Sequence, residues 1–227
     1  MGPPVTAPTT APTPAPTPAA PTTAPGFVLL ASLAWWGVFV VGRLSGHVQW
    51  GLAALGVVVV ALLLRPPATR ARWFVASARV VAVDVGFGLA VGVASVAATH
   101  LAFAPLAARL PSLAGEVDGL YALAGVGLST LGATLVVIVA EEVLWRGAAG
   151  GALVARVPSG AARAALATGL YAAAQSGGGS VWLVVAALGL GGLWAALAAA
   201  RGGRLVAPLV AHAVWTLLVL GAWPLRR

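Results

Sequence analysis

The chain has 227 residues, 60% of them hydrophobic and only 8% charged, with a formal net charge of +8 and a mean hydropathy of +0.99. A soluble domain keeps about a quarter of its residues charged, so this composition excludes a water-solvated globule and requires lipid as the solvent. All 13 basic residues are Arg, set mostly in short gaps between apolar runs rather than interleaved with polar groups, which excludes a nucleic-acid partner and marks them as topology signals.

There is no cysteine, so disulfides, thiolate metal sites and a cysteine nucleophile are excluded. The lack of Lys beside abundant Ala, Gly and Arg points to a GC-rich, bacterial genome.

In chain order, residues 1–26 are Pro-, Thr- and Ala-rich without a charged side chain, which predicts an extended, disordered tail. Apolar runs follow at 27–42, 48–64, 80–103, 119–140, 164–175, 181–200 and 205–223. Most approach the roughly 20 residues needed to cross about 30 Å of hydrocarbon. The expected fold is therefore an all-α, polytopic transmembrane helix bundle of about seven spans. Residues 27–118 form its N-terminal helices and 119–224 a core. Trp50, Trp73, Trp182 and Trp223 sit at run ends, where indoles favour the headgroup zone. Small residues such as Gly189, Gly191 and Gly192 let helices approach closely in lipid.

The four arginines of 65–79 place that gap in the cytoplasm. Alternation then puts the N-terminus, 141–163 and 201–204 on the same side, and 104–118 outside. With seven spans Arg226 and Arg227 fall outside as well. The expected location is the bacterial plasma membrane. Run 164–175 is too short to cross at 1.5 Å per residue, so the loop Ser176–Ser180 is expected within membrane depth. Irregular backbone there needs protein or a wet cavity against it, and Gln175 is expected to face such a cavity.

The sharpest polar feature is Glu141-Glu142-Val143-Leu144-Trp145-Arg146. Glu142 and Arg146 are four apart on a helix and can pair. Glu141 points about 100° away and keeps a free carboxylate. That suits a general base in a partly dry site. The alternative is that 120–140 already spans and both glutamates rest among headgroups. His212 and Thr216 share one helix face and could together hold an oxyanion, or His212 could simply bond a neighbouring helix. Tyr171 and Gln175 repeat the spacing, with Gln175 able to orient a water but not to take its proton, or else joining two helices. Asp84 reads as an interfacial residue beside Arg79, and His100 as a partner for a neighbouring span. A zinc site would need Glu141, Glu142 and His212 with Gln175 as a poor fourth ligand. Metal-free chemistry with no cofactor is preferred.

These residues resemble the CPBP family, the CAAX-processing and bacteriocin-processing (Abi) intramembrane endopeptidases. Glu141, Glu142 and Arg146 meet its E-E-x-x-x-R motif. Tyr171 and Gln175 stand at its aromatic-x-x-x-His motif. His212 and Thr216 stand at its His-x-x-x-Asn/Asp motif. The flanks Leu190–Trp194 and Arg204–Pro208 are similar too, so the resemblance covers 119–224. It implies that Glu141 activates water to attack a peptide carbonyl, that the second motif assists, and that the last motif stabilises the oxyanion. Glu142 and Arg146 are then structural partners, and the site opens to the cytoplasm. Gln175 in place of His, and Thr216 in place of Asn or Asp, are departures from the family pattern. General acid–base help is commonly worth ~10²–10⁴ in rate. The expected function is cleavage of membrane-associated proteins. The rival is a catalytically impaired member acting in immunity, binding or scaffolding; a small transporter has no internal repeat to support it.

Overall fold

The computed structural model describes residues 23–124, 127–154 and 156–225. The predicted tail falls mainly outside them, as do Arg226 and Arg227. Its last two positions instead belong to α1 (Pro25–Ser45), since Pro is well placed in a first helical turn. Gly46 ends α1 at φ 74°, a left-handed conformation that favours glycine, and α2 (Val48–Leu64) runs back along it. Pro66 and Pro67 stop α2, and α3 (Pro67–Phe74) leaves at 103° to it. The long α4 (Ala78–Arg109) starts on Ser77, whose Oγ accepts from the Val80 amide at 3.4 Å. Next come α5 (Pro111–Ala124) and α6 (Leu131–Glu141). A π-helical segment, Glu142–Ala149, carries α6 into the short α7 (Gly150–Ala152). The chain closes with α8 (Gly160–Gln175), α9 (Val181–Ala200) and α10 (Val206–Leu217), the last extended by a π-helical turn to Ala222.

One difference from the sequence reading decides where the glutamates lie. The apolar run 119–140 is not a single helix: α5 ends at Ala124 and a new helix begins after Thr130, whose Oγ1 accepts from the Gly127 amide at 3.0 Å. The rod that follows runs unbroken from Leu131 to Ala152, about 30 Å at α-helical rise. Glu141 and Glu142 therefore occupy its middle rather than its end.

By length and composition α1, α4 and α9 can each cross a bilayer, and bent α2–α3 makes a fourth. The expected seven spans are not reached on that measure. The rod 131–152 carries three charged side chains, α8 has 16 residues, and Val206–Ala222 is shorter than a span needs.

Trp35, Leu52, Leu144, Ala148 and Tyr171 share one buried cluster, so α1 and α2 pack directly on the π segment and α8. Trp73 departs from the expectation of an interfacial anchor. It is 5% exposed and covers Gly147, where an added Cβ would lie 2.7 Å from the indole. Glycines set the contact of α4 with α10: a Cβ on Gly88 would come within 2.6 Å of the Ala207 carbonyl oxygen. Gly88→Val should therefore destabilise the protein by about 1–3 kcal/mol. Gly86→Val, whose Cβ meets nothing within 4 Å, should leave the thermal midpoint in detergent unchanged.

The arginine-rich connections meet at one end. The Leu205 amide donates to the Trp73 carbonyl at 3.1 Å. Asp84, expected beside Arg79 at the interface, is instead wholly buried and clamped by Arg201 (2.5 Å) and Arg204 (2.8 Å). The hydrogen bond to Asp84 raises the Arg204 pKa further above its ordinary value. Thr23 and Ala24 share a cleft with Pro66 and Thr69, so α1 starts at this end too. At the opposite end Ser180 Oγ donates to Glu116 at 2.7 Å. Gly177 packs against α1, where a Cβ would lie 2.5 Å from the Trp36 carbonyl oxygen. His100 bonds the Trp223 carbonyl at 3.1 Å and stacks on its indole.

Candidate active site

The π segment begins at Glu142, immediately after the last residue of α6. Widened π turns recur at functional sites, and this one lies within the charged group of the chain. Glu141 and Glu142 point to different sides, as consecutive helical residues must, and both are buried.

Glu141 is not the free carboxylate that the sequence suggested. Its Oε1 accepts from Gln175 Nε2 at 2.7 Å and its Oε2 from the Tyr171 hydroxyl at 3.1 Å. His212 Nε2 stands 3.5 Å from the same Oε2. The i, i+4 spacing of Tyr171 and Gln175 is what brings both donors onto one face of α8. The gap between helical positions hid this because the partners are 30 and 34 residues away in sequence.

Glu142 lies 3.3 Å from Arg146, the pairing expected from their spacing, and it also takes His212 Nδ1 at 2.8 Å. His212 thus bridges the two glutamates. The Glu142 carboxylate and the Arg146 guanidinium offset each other's charge beside the ring, which a buried site favours. His212 and the two glutamates contact each other rather than converge on one point, and among the described residues no three His, Cys, Asp or Glu side chains form a metal-ligand set.

The arrangement is held by aromatic rings, Tyr171 and also Trp194, and the sequence reading gave Trp194 no role. Trp194 of α9 stacks on His212 at 4.0 Å and 17° between planes. The Arg146 guanidinium lies over Tyr171 at 4.6 Å and Trp194 at 5.4 Å. Gly191 permits this, since a Cβ there would sit 2.9 Å from Arg146 Nη2 and from the Tyr171 ring.

A cavity of about 160 Å³ adjoins the group, and Glu141, Tyr171, Gln175 and Thr216 all line it. His212 stands behind Glu141, outside the lining. Gln49 and Thr134 line it too, joined by a 2.8 Å hydrogen bond. These two were missed, although an amide inside an apolar run is itself a signal. On the rod, the lining residues Thr134, Val137 and Ile138 precede Glu141, whereas Arg146 and Gly147 follow it on the arginine-rich side. The cavity therefore extends towards the end where α2 begins, away from Arg72 and Arg163. The expectation that the site opens on the side of the arginine-rich loops does not fit this placement.

Residues 123–218 match the family described as Type II CAAX prenyl endopeptidase Rce1-like. This segment belongs to the CPBP family. The match spans both glutamates, α8, α9 and α10, so Glu141, Glu142, Arg146, Tyr171, Gln175, Trp194, His212 and Thr216 fall within it, whereas Gln49 does not. Over this segment the protein is CAAX-type protease-like, and its apolar helices are those of a membrane protein. No curated protein and no solved structure matches it.

Proposed function

We propose that the protein is an intramembrane endopeptidase of reduced activity, cleaving apolar, membrane-associated peptides with water activated by Glu141. The observation that carries this reading is the sharing of one cavity by Glu141, Gln175 and Thr216. At about 30 Å³ per water, that space holds several waters. Glu141 takes a proton from one of them as its oxygen attacks the peptide carbonyl carbon. Thr216 Oγ1–H donates to the resulting oxyanion, while His212, behind Glu141, holds the carboxylate in place. Glu141 then delivers the proton to the departing amine as the C–N bond breaks. Tyr171 and Gln175 aim the carboxylate, while Glu142 and Arg146 hold His212 and balance charge. The walls are almost wholly apolar, with Leu52, Leu120, Leu183 and Leu190 among them, which suits a substrate drawn from the bilayer.

A second reading, a catalytically impaired member that binds or scaffolds a peptide, is favoured by the 2.7 Å bond from Gln175. An amide there holds Glu141 but cannot exchange a proton with it. Cleavage of a membrane-anchored test peptide by purified Gln175→His separates the two. The peptidase reading expects a gain of about 10²-fold. A folded variant with no gain favours the binding protein.

Eight arginines, Arg65, Arg70, Arg72, Arg79, Arg156, Arg163, Arg201 and Arg204, lie in the connections at one end or beside them, and we assign that end to the cytoplasm. The cavity then faces the other side of what we take to be a bacterial plasma membrane. Because the chain has no cysteine, single cysteines at Gln49 and Arg72 report this cleanly. An impermeant maleimide should reach Gln49→Cys in intact cells and Arg72→Cys only after lysis; the reverse pattern overturns the orientation.

A further inference from the structure

A second cavity, about 380 Å³ in volume, opens at the arginine-rich end between the rod, α8 and α9. Arg72, Arg146 and Arg163 line it, and no acidic side chain does so among the described residues. Arg146 is 3% exposed, and its Nη1 and Nη2 have no hydrogen-bond partner. Arg163 is fixed in place by the Val157 and Pro158 carbonyls at 2.8 and 3.0 Å. It stands in the first turn of α8, a 16-residue helix whose amino end attracts negative charge. Gly150 and Gly151 leave the wall open, since a Cβ on either would meet nothing within 4 Å.

Three arginines line one space without an acidic side chain among the described residues, so an anion between them would relieve their repulsion, and a buried donor without an acceptor costs about 1–3 kcal/mol. Arginine forks match the oxygens of a phosphate group. At the cytoplasmic end of a helix bundle, the phosphates at hand are those of anionic lipids. We propose that this cavity is a binding site for a phosphate group, supplied by the headgroup of an anionic phospholipid. Arg146 closes it from within and on its other side neutralises Glu142, the residue that holds His212. The site thus abuts the charged group without sharing the space of the first cavity.

Native mass spectrometry of the full chain, released from phosphatidylcholine nanodiscs containing a minority of phosphatidylglycerol, tests this without any cleavage assay. Phosphatidylglycerol should be retained selectively over phosphatidylcholine. Arg72→Gln should lower that selectivity about fivefold, the effect of one basic residue near a membrane. Gly151→Leu fills the cavity without removing charge and should abolish it. A thermal-shift series with inorganic phosphate in uncharged detergent distinguishes the source. Stabilisation by phosphate without lipid selectivity keeps the anion site but assigns it a soluble ligand. Equal retention of both lipids together with no phosphate shift overturns the proposal, as does a Gly151→Leu protein that retains phosphatidylglycerol as the unmodified chain does.

Discussion

Glu141→Gln is expected to reduce cleavage of the test peptide to background, both alone and combined with Gln175→His, while leaving the thermal midpoint near that of the unmodified protein. The substitution preserves shape. An amide oxygen still accepts from Tyr171 or Gln175, which bond Glu141 at 3.1 and 2.7 Å. What disappears is the one carboxylate that lines the cavity among the described residues, the group that carries a proton from water to the leaving amine; the Gln175 and Thr216 side chains do not titrate in the working range. The expected loss is at least the ~10²–10⁴ assigned to general acid–base help. Cleavage that persists in the folded variant would remove Glu141 from the chemistry and leave the binding-protein reading in its place.

Glu142→Ala is expected to have the largest effect on stability, about 3–5 kcal/mol. Glu142 is wholly buried and touches two partners, the Arg146 guanidinium at 3.3 Å and His212 Nδ1 at 2.8 Å. Removing it strands a guanidinium that already lacks hydrogen bonds at both terminal nitrogens. It also frees His212 Nδ1, so the ring loses the bond that fixes which nitrogen faces Glu141. Replacing the pair together, as Glu142→Leu with Arg146→Met, should recover part of the loss because no uncompensated charge remains. Thermal unfolding in detergent checks both. If the single variant melts with the unmodified chain, the ion pair contributes nothing, and the rod is held by packing alone.

These two effects come from adjacent residues with opposite roles, and the contrast follows from the helix. Glu141 faces the first cavity. Glu142, turned by one residue, faces His212 and the arginine that also lines the second cavity. Activity and stability are therefore separable by neighbouring substitutions. Gln175→His probes the first without disturbing the second.

Several features were legible without a structure because they depend on composition or short-range spacing. Few charges among so many apolar residues require a helical protein in lipid. The four-residue step from Glu142 to Arg146 foretold their pairing, and the ordered motifs around Glu141, Gln175 and His212 led to the family that residues 123–218 match. Folding decided what depends on long-range contacts. The break between Ala124 and Leu131 moved both glutamates from the end of a helix to its middle, because Gly127, Ser129 and Thr130 favour a turn inside an otherwise apolar stretch. Hydropathy sums across such a break and counts one span where there are two helices. Likewise, the second partner of Glu142, the stacking of Trp194 on His212 and the side towards which the cavity extends all join residues dozens of positions apart. Local periodicity records which face a side chain takes on its own helix, but the neighbour that face meets is settled only when the helices pack.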